Sequence, residues 1–196
     1  MGRIVCLLGK SASGKDTVYN HMMKDEEYDF HPVVTYTTRP MRAGETEGVE
    51  YHFCDEERLK DLESEGRIIE KRTYDTVQGL WYYFTADDGT VDLSANDYLV
   101  IGTLESFTKL KEYYGDGKVL PIYICLDEGE RLSRAVTRER MQQNPDYKEL
   151  CRRFLADEED FSDIHLKEAG ITERFWNMDL EATLKRIKEY LNGYKD

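Results

Sequence analysis

Residues 9–17 of the chain, GKSASGKDT, have the glycines, hydroxyls and lysine of a phosphate-binding loop. They follow the apolar run IVCLL and open a helical pattern, which is the strand, loop and helix context that such a loop requires. Glycines allow successive amides to turn inward, so that these amides and the positive helix end hold a polyphosphate while Lys15 reaches its terminal groups. A Gly/Ser-rich turn that only caps a helix is the alternative. The predicted phosphate-binding residues are Gly9, Ser11, Ala12, Ser13, Gly14, Lys15, Asp16 and Thr17.

An aspartate, Asp16, stands directly after the lysine, where loops of this kind carry serine or threonine. The usual hydroxyl is a neutral Mg²⁺ ligand, whereas a carboxylate is an anionic ligand that repels phosphate when the metal is absent. Thr17 points elsewhere on the helix and does not replace the missing hydroxyl. We therefore predict that the loop binds nucleotide with an altered metal environment, in which Asp16 is the candidate Mg²⁺ ligand.

A second basic motif lies at residues 35–53, TYTTRPMRAGETEGVEYHF. Arg39 and Arg42 are followed by a glycine-punctuated turn and by Tyr51. Two guanidinium groups and a phenol that meet at one point suit a phosphomonoester, because arginine pairs bidentately with phosphate oxygens. Taken alone, the stretch fits a solvated arginine-rich turn equally well.

The composition limits the classes of partner. The 196 residues include 27 basic and 40 acidic ones, for a formal charge of -13, so neither nucleic acid nor a membrane is an expected partner. No stretch approaches the roughly 20 apolar residues of a membrane span, and the start does not resemble a signal peptide, so we expect a cytoplasmic protein. Cys6 and Cys125 lie in apolar runs and are predicted to be buried, reduced thiols.

Short apolar runs alternate with helical patterns, which predicts an α/β fold with a parallel sheet covered by helices on both faces. The predicted strands are residues 3–8, 33–37, 50–53, 67–74, 97–102 and 119–126. The predicted helices are residues 14–24, 55–65, 103–114, 128–142, 147–161 and 179–191. Residues 32–88, with turns at Gly44, Gly48 and Gly79, and the highly charged residues 131–157 interrupt the alternation and are interpreted as insertions on the core.

With both motifs in place, the sequence resembles the guanylate kinase family of nucleoside monophosphate kinases, as a divergent member. The family pattern S-x-T-T-R-x-x-R-x-G-E-x-x-G-x-x-Y-x-F is filled by Thr35, Thr37, Thr38, Arg39, Arg42, Gly44, Glu45, Gly48, Tyr51 and Phe53, with Thr35 in place of the serine. The resemblance implies that Thr35, Arg39, Arg42 and Tyr51 hold the phosphate of the accepting monophosphate. It also implies ATP as the donor, with Mg²⁺.

Two further stretches resemble the family's base site. EGRIIE is similar to the strand whose last glutamate recognises guanine, which implies that role for Glu70. A carboxylate can accept from both the N1–H and the exocyclic amine of guanine. GLWYYFT is similar to G-x-Y-Y-G-[ST], which implies Tyr83 as a phosphate ligand and Thr85 as a base contact, although Trp81 is extra and Phe84 replaces the glycine. A core or interface tyrosine is the alternative for Tyr83.

The charged segment resembles the family's mobile lid, whose arginines would reach the transferring phosphoryl group. Arg134, Arg138 and Arg153 are the implied lid arginines, and an exposed pair of salt-bridged helices is the alternative. The stretch FWNMD is similar to the family's last strand and turn, where Asn177 would border the adenine. The implied domains are a core of residues 1–31, 89–130 and 158–196, a monophosphate-binding region of residues 32–88 and a lid of residues 131–157.

One family feature is missing. The central strand of the family ends in Asp-x-Asp, with one acid near the metal and one on guanine, but this chain has Ile101, Gly102 and Thr103. The loss weakens the inference that GMP is the acceptor. Our hypothesis is that Asp16 restores a carboxylate to the metal environment from the loop side.

The sequence thus predicts transfer of the γ-phosphoryl group of ATP to a nucleoside monophosphate, with GMP as the first candidate. Lys15 and the three lid arginines are the predicted catalytic residues, in a monomer or homodimer. Two alternatives remain open: the same chemistry on another acceptor, such as a ribose phosphate, and a non-catalytic module that binds acidic or phosphorylated proteins.

Overall fold

The computed structural model describes residues 2–42, 44–76 and 79–194, and within them it contains two β-sheets flanked by helices. The strands are β1 (Ile4–Leu8), β2 (His31–Pro32), β3 (Tyr36–Thr37), β4 (His52–Phe53), β5 (Ile68–Thr76), β6 (Gly79–Ala86), β7 (Tyr98–Ile101), β8 (Val119–Cys125) and β9 (Phe175–Trp176). The helices are α1 (Lys15–Met22), α2 (Glu56–Ser64), α3 (Leu104–Tyr114), α4 (Glu128–Arg140), α5 (Tyr147–Asp160), α6 (Asp163–Glu168) and α7 (Leu180–Asn192). No helix in these ranges is long and apolar enough to cross a membrane.

The core sheet has the strand order β2-β7-β1-β8-β9, and all of its pairs are parallel. Every residue of the central strand β1 is buried, which explains its unbroken apolar sequence. Alternate residues of a strand point to opposite faces, so Cys6 packs in the cluster that contains Phe107 of α3. Leu7 packs on the other face in the cluster that contains Val18 of α1 and Ile187 of α7. The predicted parallel sheet with helices on both faces is confirmed.

The second sheet, with the order β4-β3-β6-β5, is formed by the predicted insertion. Strands β5 and β6 form an antiparallel hairpin, β6 also pairs with β3, and β3 pairs in parallel with β4. Helix α2 covers one face, where Leu59 and Leu62 pack in a cluster with Tyr36 and Phe84.

Several predicted elements need correction. Strand β6 and the two-residue strand β2 were not predicted, and neither was α6, a short helix capped by Ser162. The predicted strands 33–37 and 50–53 are too long, because the observed strands β3 and β4 have only two residues each. The burial predicted for Cys6 and Cys125 is confirmed, and that burial raises the pKa of the Cys6 thiol to about 12 and that of the Cys125 thiol to about 11.

A buried arginine, Arg131, joins α4 and α5. Its side chain is 1% exposed, Nε donates to Glu128 at 2.6 Å and Nη1 donates to Asp157 at 3.3 Å. Nη2 donates to Glu158. The guanidinium carbon lies 3.7 Å from the ring centroid of Phe154, within the range of a cation–π contact.

The same carboxylates hold the loop that follows β1. Asp157 Oδ2 accepts from the amide of Ser11 at 2.7 Å, and Lys10 Nζ donates to Glu128 at 2.8 Å and to Glu158 at 2.7 Å. Burial alone lowers the pKa of Lys10, but the hydrogen bonds to the two glutamates outweigh burial and the pKa is raised. We call these residues the loop clasp: Lys10, Ser11, Glu128, Arg131, Asp157 and Glu158.

Gly102 and Thr103 connect β7 to α3 in a space with no room for a larger residue. The Thr103 hydroxyl accepts from the Ser106 amide at 3.2 Å, and the Ser106 hydroxyl in turn accepts from the Thr103 amide at 2.8 Å, which forms a capping box. A Cβ atom on Gly102 would lie 2.6 Å from Ser106 Oγ and 2.9 Å from Cys6 Sγ. The second acid expected from the family resemblance is therefore replaced by the cap residue of a tightly packed helix start.

We predict that Gly102→Ala lowers the free energy of unfolding by about 1–3 kcal/mol, because overpacking displaces Ser106 and disrupts the cap. The measurement is urea unfolding followed by circular dichroism. Gly129→Ala, in the first turn of α4, is the matched control and is expected to change stability by less than about 1 kcal/mol. Equal unfolding midpoints for Gly102→Ala and the native protein would contradict the crowding argument.

We predict that Arg131→Met destabilises the protein by about 3 kcal/mol, because it leaves the clasp carboxylates without their shared cation. Arg152→Met is the matched control, since Arg152 is 63% exposed and its pair with Glu149 lies at the surface. Removing that surface pair is expected to change stability by about 0.5 kcal/mol. Thermal unfolding of both variants tests the difference, and similar losses in the two would show that the clasp has no special role.

Candidate functional site

The predicted phosphate-binding loop connects β1 to α1, so it lies at the carboxyl edge of the core sheet, where ligands bind in open parallel sheets. Gly14 is the N-cap of α1 at φ 90°, and no side chain caps the helix, which leaves its first amides available to an anion. A Cβ atom on Gly14 would lie 2.3 Å from Nδ2 of Asn177, so only glycine fits there.

Asn177 supports the loop from the last strand of the core sheet. Its side chain is buried, and Nδ2 donates to the Ser13 carbonyl at 2.9 Å. Its backbone amide donates to the carbonyl of Cys125 at 2.8 Å. The structure thus brings the Asn177 side chain to the loop, and its position beside an adenine stays a prediction.

Lys15 and Asp16 open α1 and point to different environments. Burial lowers the pKa of Lys15, the negative charges of Asp16 and Asp157 oppose that shift, and the positive charge of Arg138 reinforces it. Asp16 and Thr17 are exposed, and within the described ranges no hydrogen bond or ion pair holds the Asp16 carboxylate. The lysine therefore lies in the site, while the carboxylate beside it is free to meet a cation.

The lid arginines differ in their distance from the loop. Arg134 Nη1 lies 3.8 Å from the position of a Cβ atom on Gly14, while its Nε donates to Glu130 at 2.9 Å. Arg138 is exposed, and its charge is felt by Lys15. The structure therefore brings two of the three predicted lid arginines near the loop.

Arg153 lies elsewhere, against carboxylates of the two lid helices. Its Nη2 is 4.0 Å from Glu139, and its Nε is 3.7 Å from Glu149. That Nε atom is buried and has no hydrogen-bond partner among the described residues. Arg153 would have to move to reach a nucleotide on the loop.

The predicted monophosphate site is centred on Arg39, which is buried. Its guanidinium donates to Glu45 at 2.7 and 3.0 Å and to the Tyr83 hydroxyl at 3.1 Å. The guanidinium carbon lies 5.6 Å from the ring centroids of both Tyr51 and Phe53. The hydrogen bond from Arg39 lowers the pKa of Glu45, so this carboxylate is ionised and occupies the fork that would face a phosphate.

Two other predicted phosphate ligands take less part in this cluster. The Arg42 side chain is exposed, and its backbone amide donates to Glu45 at 2.7 Å. Thr35 is half-buried, and its carbonyl accepts from the His52 amide at 2.9 Å. The structure therefore brings Arg39, Tyr51 and Tyr83 together, whereas the side chain of Arg42 is exposed at the edge of this cluster.

The predicted base site contains a buried pair of residues and an arginine that the sequence analysis missed. Thr85 Oγ1 donates to Glu70 at 2.9 Å, and the two residues face each other across β5 and β6. Arg72 Nε and Nη2 donate to the two oxygens of Glu70 at 3.1 and 3.3 Å. Arg72 follows Glu70 by two residues on the same strand, so the two-residue strand period could have identified it.

A cavity of about 700 Å³ adjoins this pair, between β5 and the helices α3 and α6. Its lining residues are Lys71, Arg72, Thr73, Tyr74, Thr103, Leu104, Glu105, Thr108, Asp160, His165, Glu168 and Ala169. In the described part of the chain, no three His, Cys, Asp or Glu side chains are grouped so that they could hold a metal ion.

The loop clasp is the other feature that the sequence analysis did not find. Lys10 and Ser11 belong to the predicted loop, but their partners Glu158 and Asp157 are 148 and 146 positions away, and no local pattern pairs them. The clasp places a carboxylate on the Ser11 amide, so in this conformation the loop is already in contact with an anion.

Sequence comparisons match the first part of the chain to one family. The family model described as guanylate kinase matches residues 1–82. The guanylate kinase of Mycobacterium bovis is 41% identical over 70 residues, which are 36% of this chain and 33% of that protein. The guanylate kinase of Latilactobacillus sakei is 38% identical over 73 residues, which are 37% of this chain and 36% of that protein. The matched stretches thus span about a third of the length of these relatives, and Thr85, the lid arginines and Asn177 lie outside the family match.

The fold comparison extends along nearly all of the chain. The crystal structure of guanylate kinase from Anaplasma phagocytophilum matches with a TM-score of 0.64 over 98% of this chain and 85% of that one, at 22% sequence identity. At that identity the match shows a shared fold. Residues 1–82 are thus similar in sequence to guanylate kinases, and nearly all of the chain shares the fold of one.

Proposed function

We propose that the protein is an ATP-dependent nucleoside monophosphate kinase that transfers the γ-phosphoryl group of ATP to the phosphate of a monophosphate, with GMP as the first candidate. The observation that carries the proposal is the presence of two anion sites of different construction. One is the glycine loop with Lys15 at the edge of the core sheet, and the other is the guanidinium group of Arg39 beside the second sheet. A reaction between two phosphorylated molecules needs two such sites.

In this proposal, the chain positions the reactants and stabilises charge, since direct in-line transfer needs no covalent nucleophile. Lys15 and the first amides of α1 hold the donor phosphates. Arg39, Tyr51 and Tyr83 hold the acceptor phosphate, which has to share or replace the Glu45 carboxylate on Arg39. Arg134 and Arg138 neutralise charge from the lid side, and Arg153 joins them only after the lid helices move.

The proposal includes Mg²⁺, which would arrive with ATP. The donor set fits this mode of binding, because Mg²⁺ held mainly by phosphate oxygens and water needs only one or two carboxylates from a protein. Asp16 supplies a free, exposed carboxylate next to Lys15. When bound, the metal would neutralise the phosphate charge that Asp16 otherwise repels.

The three-part division into core, monophosphate-binding region and lid belongs to the same proposal. So do the cytoplasmic location and the monomeric or homodimeric state. A different acceptor is the second candidate, and the pairing of Glu70 with Arg72 favours it, because Glu70 was the predicted reader of guanine.

We predict ATP consumption that depends on a phosphorylated acceptor, measured in a coupled assay with GMP, dGMP, AMP, UMP, CMP and sugar phosphates. Lys15→Ala is expected to lower kcat by roughly 100-fold or more, because it removes a cation that the transition state needs. Lys24→Ala is the matched control, since Lys24 is exposed just beyond α1, and its kcat should equal that of the native protein. No turnover with any acceptor, together with retained monophosphate binding, would refute the kinase and support an interaction module.

We predict that Asp16→Ser raises the Mg²⁺ concentration at half-maximal turnover by roughly tenfold, because it removes a carboxylate from the metal environment. The assay is a Mg²⁺ titration at fixed ATP and acceptor. Asp116→Ser is the matched control, because Asp116 is an exposed acid beyond the far end of α3. Unchanged or faster turnover in Asp16→Ser would remove Asp16 from the metal environment.

A further inference from the structure

Glu70 is sealed inside the second sheet. Its side chain is 1% exposed, and its two oxygens accept from Thr85 and from two nitrogens of Arg72. A guanine base would offer Glu70 two donors, but three hydrogen bonds already fill most of the roughly four lone-pair sites of its carboxylate. Glu70 can accept from two ligand donors at once only if Arg72 first leaves it.

Arg72 is the member of the pair that meets the cavity. Its side chain is 20% exposed, against 1% for Glu70, and it lines the cavity of about 700 Å³. Burial acts to lower its pKa, but the negative charge of Glu70 and the hydrogen bonds to Glu70 outweigh burial, so the pKa is raised and the group stays charged. Its described hydrogen bonds use Nε and Nη2 on Glu70 and leave Nη1 for a ligand.

The cavity is adjacent to the Arg39 site. Tyr83, whose hydroxyl bonds Arg39, is the cross-strand neighbour of Arg72 in the β5–β6 hairpin. Burial raises the pKa of Tyr51, and the positive charges of both Arg39 and Arg72 oppose that shift. A monophosphate held at Arg39 would therefore extend its base towards Arg72.

The remaining charges of the cavity indicate what the base can be. Glu105, Asp160 and Glu168 line the cavity together with Lys71, whose ammonium pairs with Glu63, and burial together with the charge of Asp157 raises the pKa of Asp160. These acids disfavour a second phosphate or carboxylate on the acceptor. The Thr103 hydroxyl is engaged in the cap of α3. A guanidinium has only donors, so an uncharged ring that presents carbonyl oxygens is the complement of Arg72.

We propose that Arg72, and not Glu70, determines base specificity, and that it reads a carbonyl oxygen of an uncharged base. This inference rests on the proposed function, because it treats the cavity as the base end of the acceptor site. It predicts a site that does not sense the 2-amino group of guanine but does reject an amine at the position of its 6-carbonyl.

Calorimetric titration without ATP, using GMP, IMP, AMP and ribose 5-phosphate, tests the proposal. GMP and IMP share the 6-carbonyl and differ only in the 2-amino group, whereas AMP has an amine in place of the carbonyl. We expect GMP and IMP to bind with Kd values within about threefold of each other, and AMP to bind roughly tenfold more weakly. Ribose 5-phosphate, which has no base, is expected to bind more weakly than GMP by a similar factor.

Arg72→Ala exposes Glu70 and should reverse this selectivity. The discrimination against AMP is expected to fall, and GMP should become roughly tenfold tighter than IMP, because a freed carboxylate can accept from the 2-amino group. Arg72→Lys keeps a cation next to Glu70 but replaces the planar guanidinium with an ammonium group. It therefore tests recognition of the base in a variant that retains the buried ion pair. Arg186→Ala is the matched control, because Arg186 pairs with Glu173 at the surface and does not line the cavity, so its GMP to IMP ratio should be unchanged. Thermal unfolding establishes that each variant is folded.

Three results would overturn the inference. The first is that the native protein binds GMP tenfold more tightly than IMP and that Arg72→Ala shows the same ratio. The second is that AMP binds as tightly as IMP. The third is that ribose 5-phosphate binds as tightly as GMP. Phosphoryl transfer is measured separately, so the two proposals fail separately. If GMP and IMP bind equally but no phosphoryl transfer occurs, the kinase proposal is refuted and the role of Arg72 is retained. If transfer occurs and GMP binds much more tightly than IMP, the kinase proposal is retained and the role of Arg72 is refuted.

Discussion

The parallel pairing of β1 with β7 and β8 is the constraint on which the site depends. Because all three strands run in the same direction, their carboxyl ends meet at one edge, and the chain leaves that edge in short connections. One connection is the glycine loop, and another is Gly102 with Thr103. Asn177 reaches the same edge from the strand beside β8. The apolar faces that bury β1 thus determine where the polar groups of the site can be.

An acidic protein with the proposed function, which would bind two phosphorylated molecules, has to keep its cations in place without neutralising them in advance. On the second sheet the structure does this by holding two arginines with carboxylates of its own chain, in the pairs Arg39 with Glu45 and Arg72 with Glu70. Such pairing fixes the orientation of a guanidinium before a ligand arrives, which reduces the entropy lost on binding. It also means that an incoming phosphate competes with a carboxylate for the guanidinium. Selectivity for a ligand then depends more on how its phosphate fits the paired guanidinium than on the net charge of the protein.

The features that could be predicted from sequence are those specified locally. The glycine loop is identified by its own nine residues, and the core helices by short periodic patterns, so these predictions agree with the structure. Strand β6 was missed because its aromatic run was read only as a ligand motif, and α6 was missed because six residues carry too little periodicity. Arg131 could not be assigned, since its partner Asp157 is 26 positions away and its loop partner Ser11 is 120 positions away. The roles of Arg153 and Asn177 towards a nucleotide stay predictions.

The two departures from the family pattern, Asp16 and the lost Asp-x-Asp, have a common structural setting. Ile101, at the position of the first missing acid, packs against the apolar cluster that includes Val18 and Met22 of α1. A carboxylate at that position would be half-buried against apolar side chains, which is costly without a partner. The second missing acid is Thr103, whose hydroxyl is used to begin α3. With both strand-end positions used for packing and capping, a carboxylate for the proposed donor site would have to come from another element, and our proposal assigns that role to Asp16 on α1, beside Lys15.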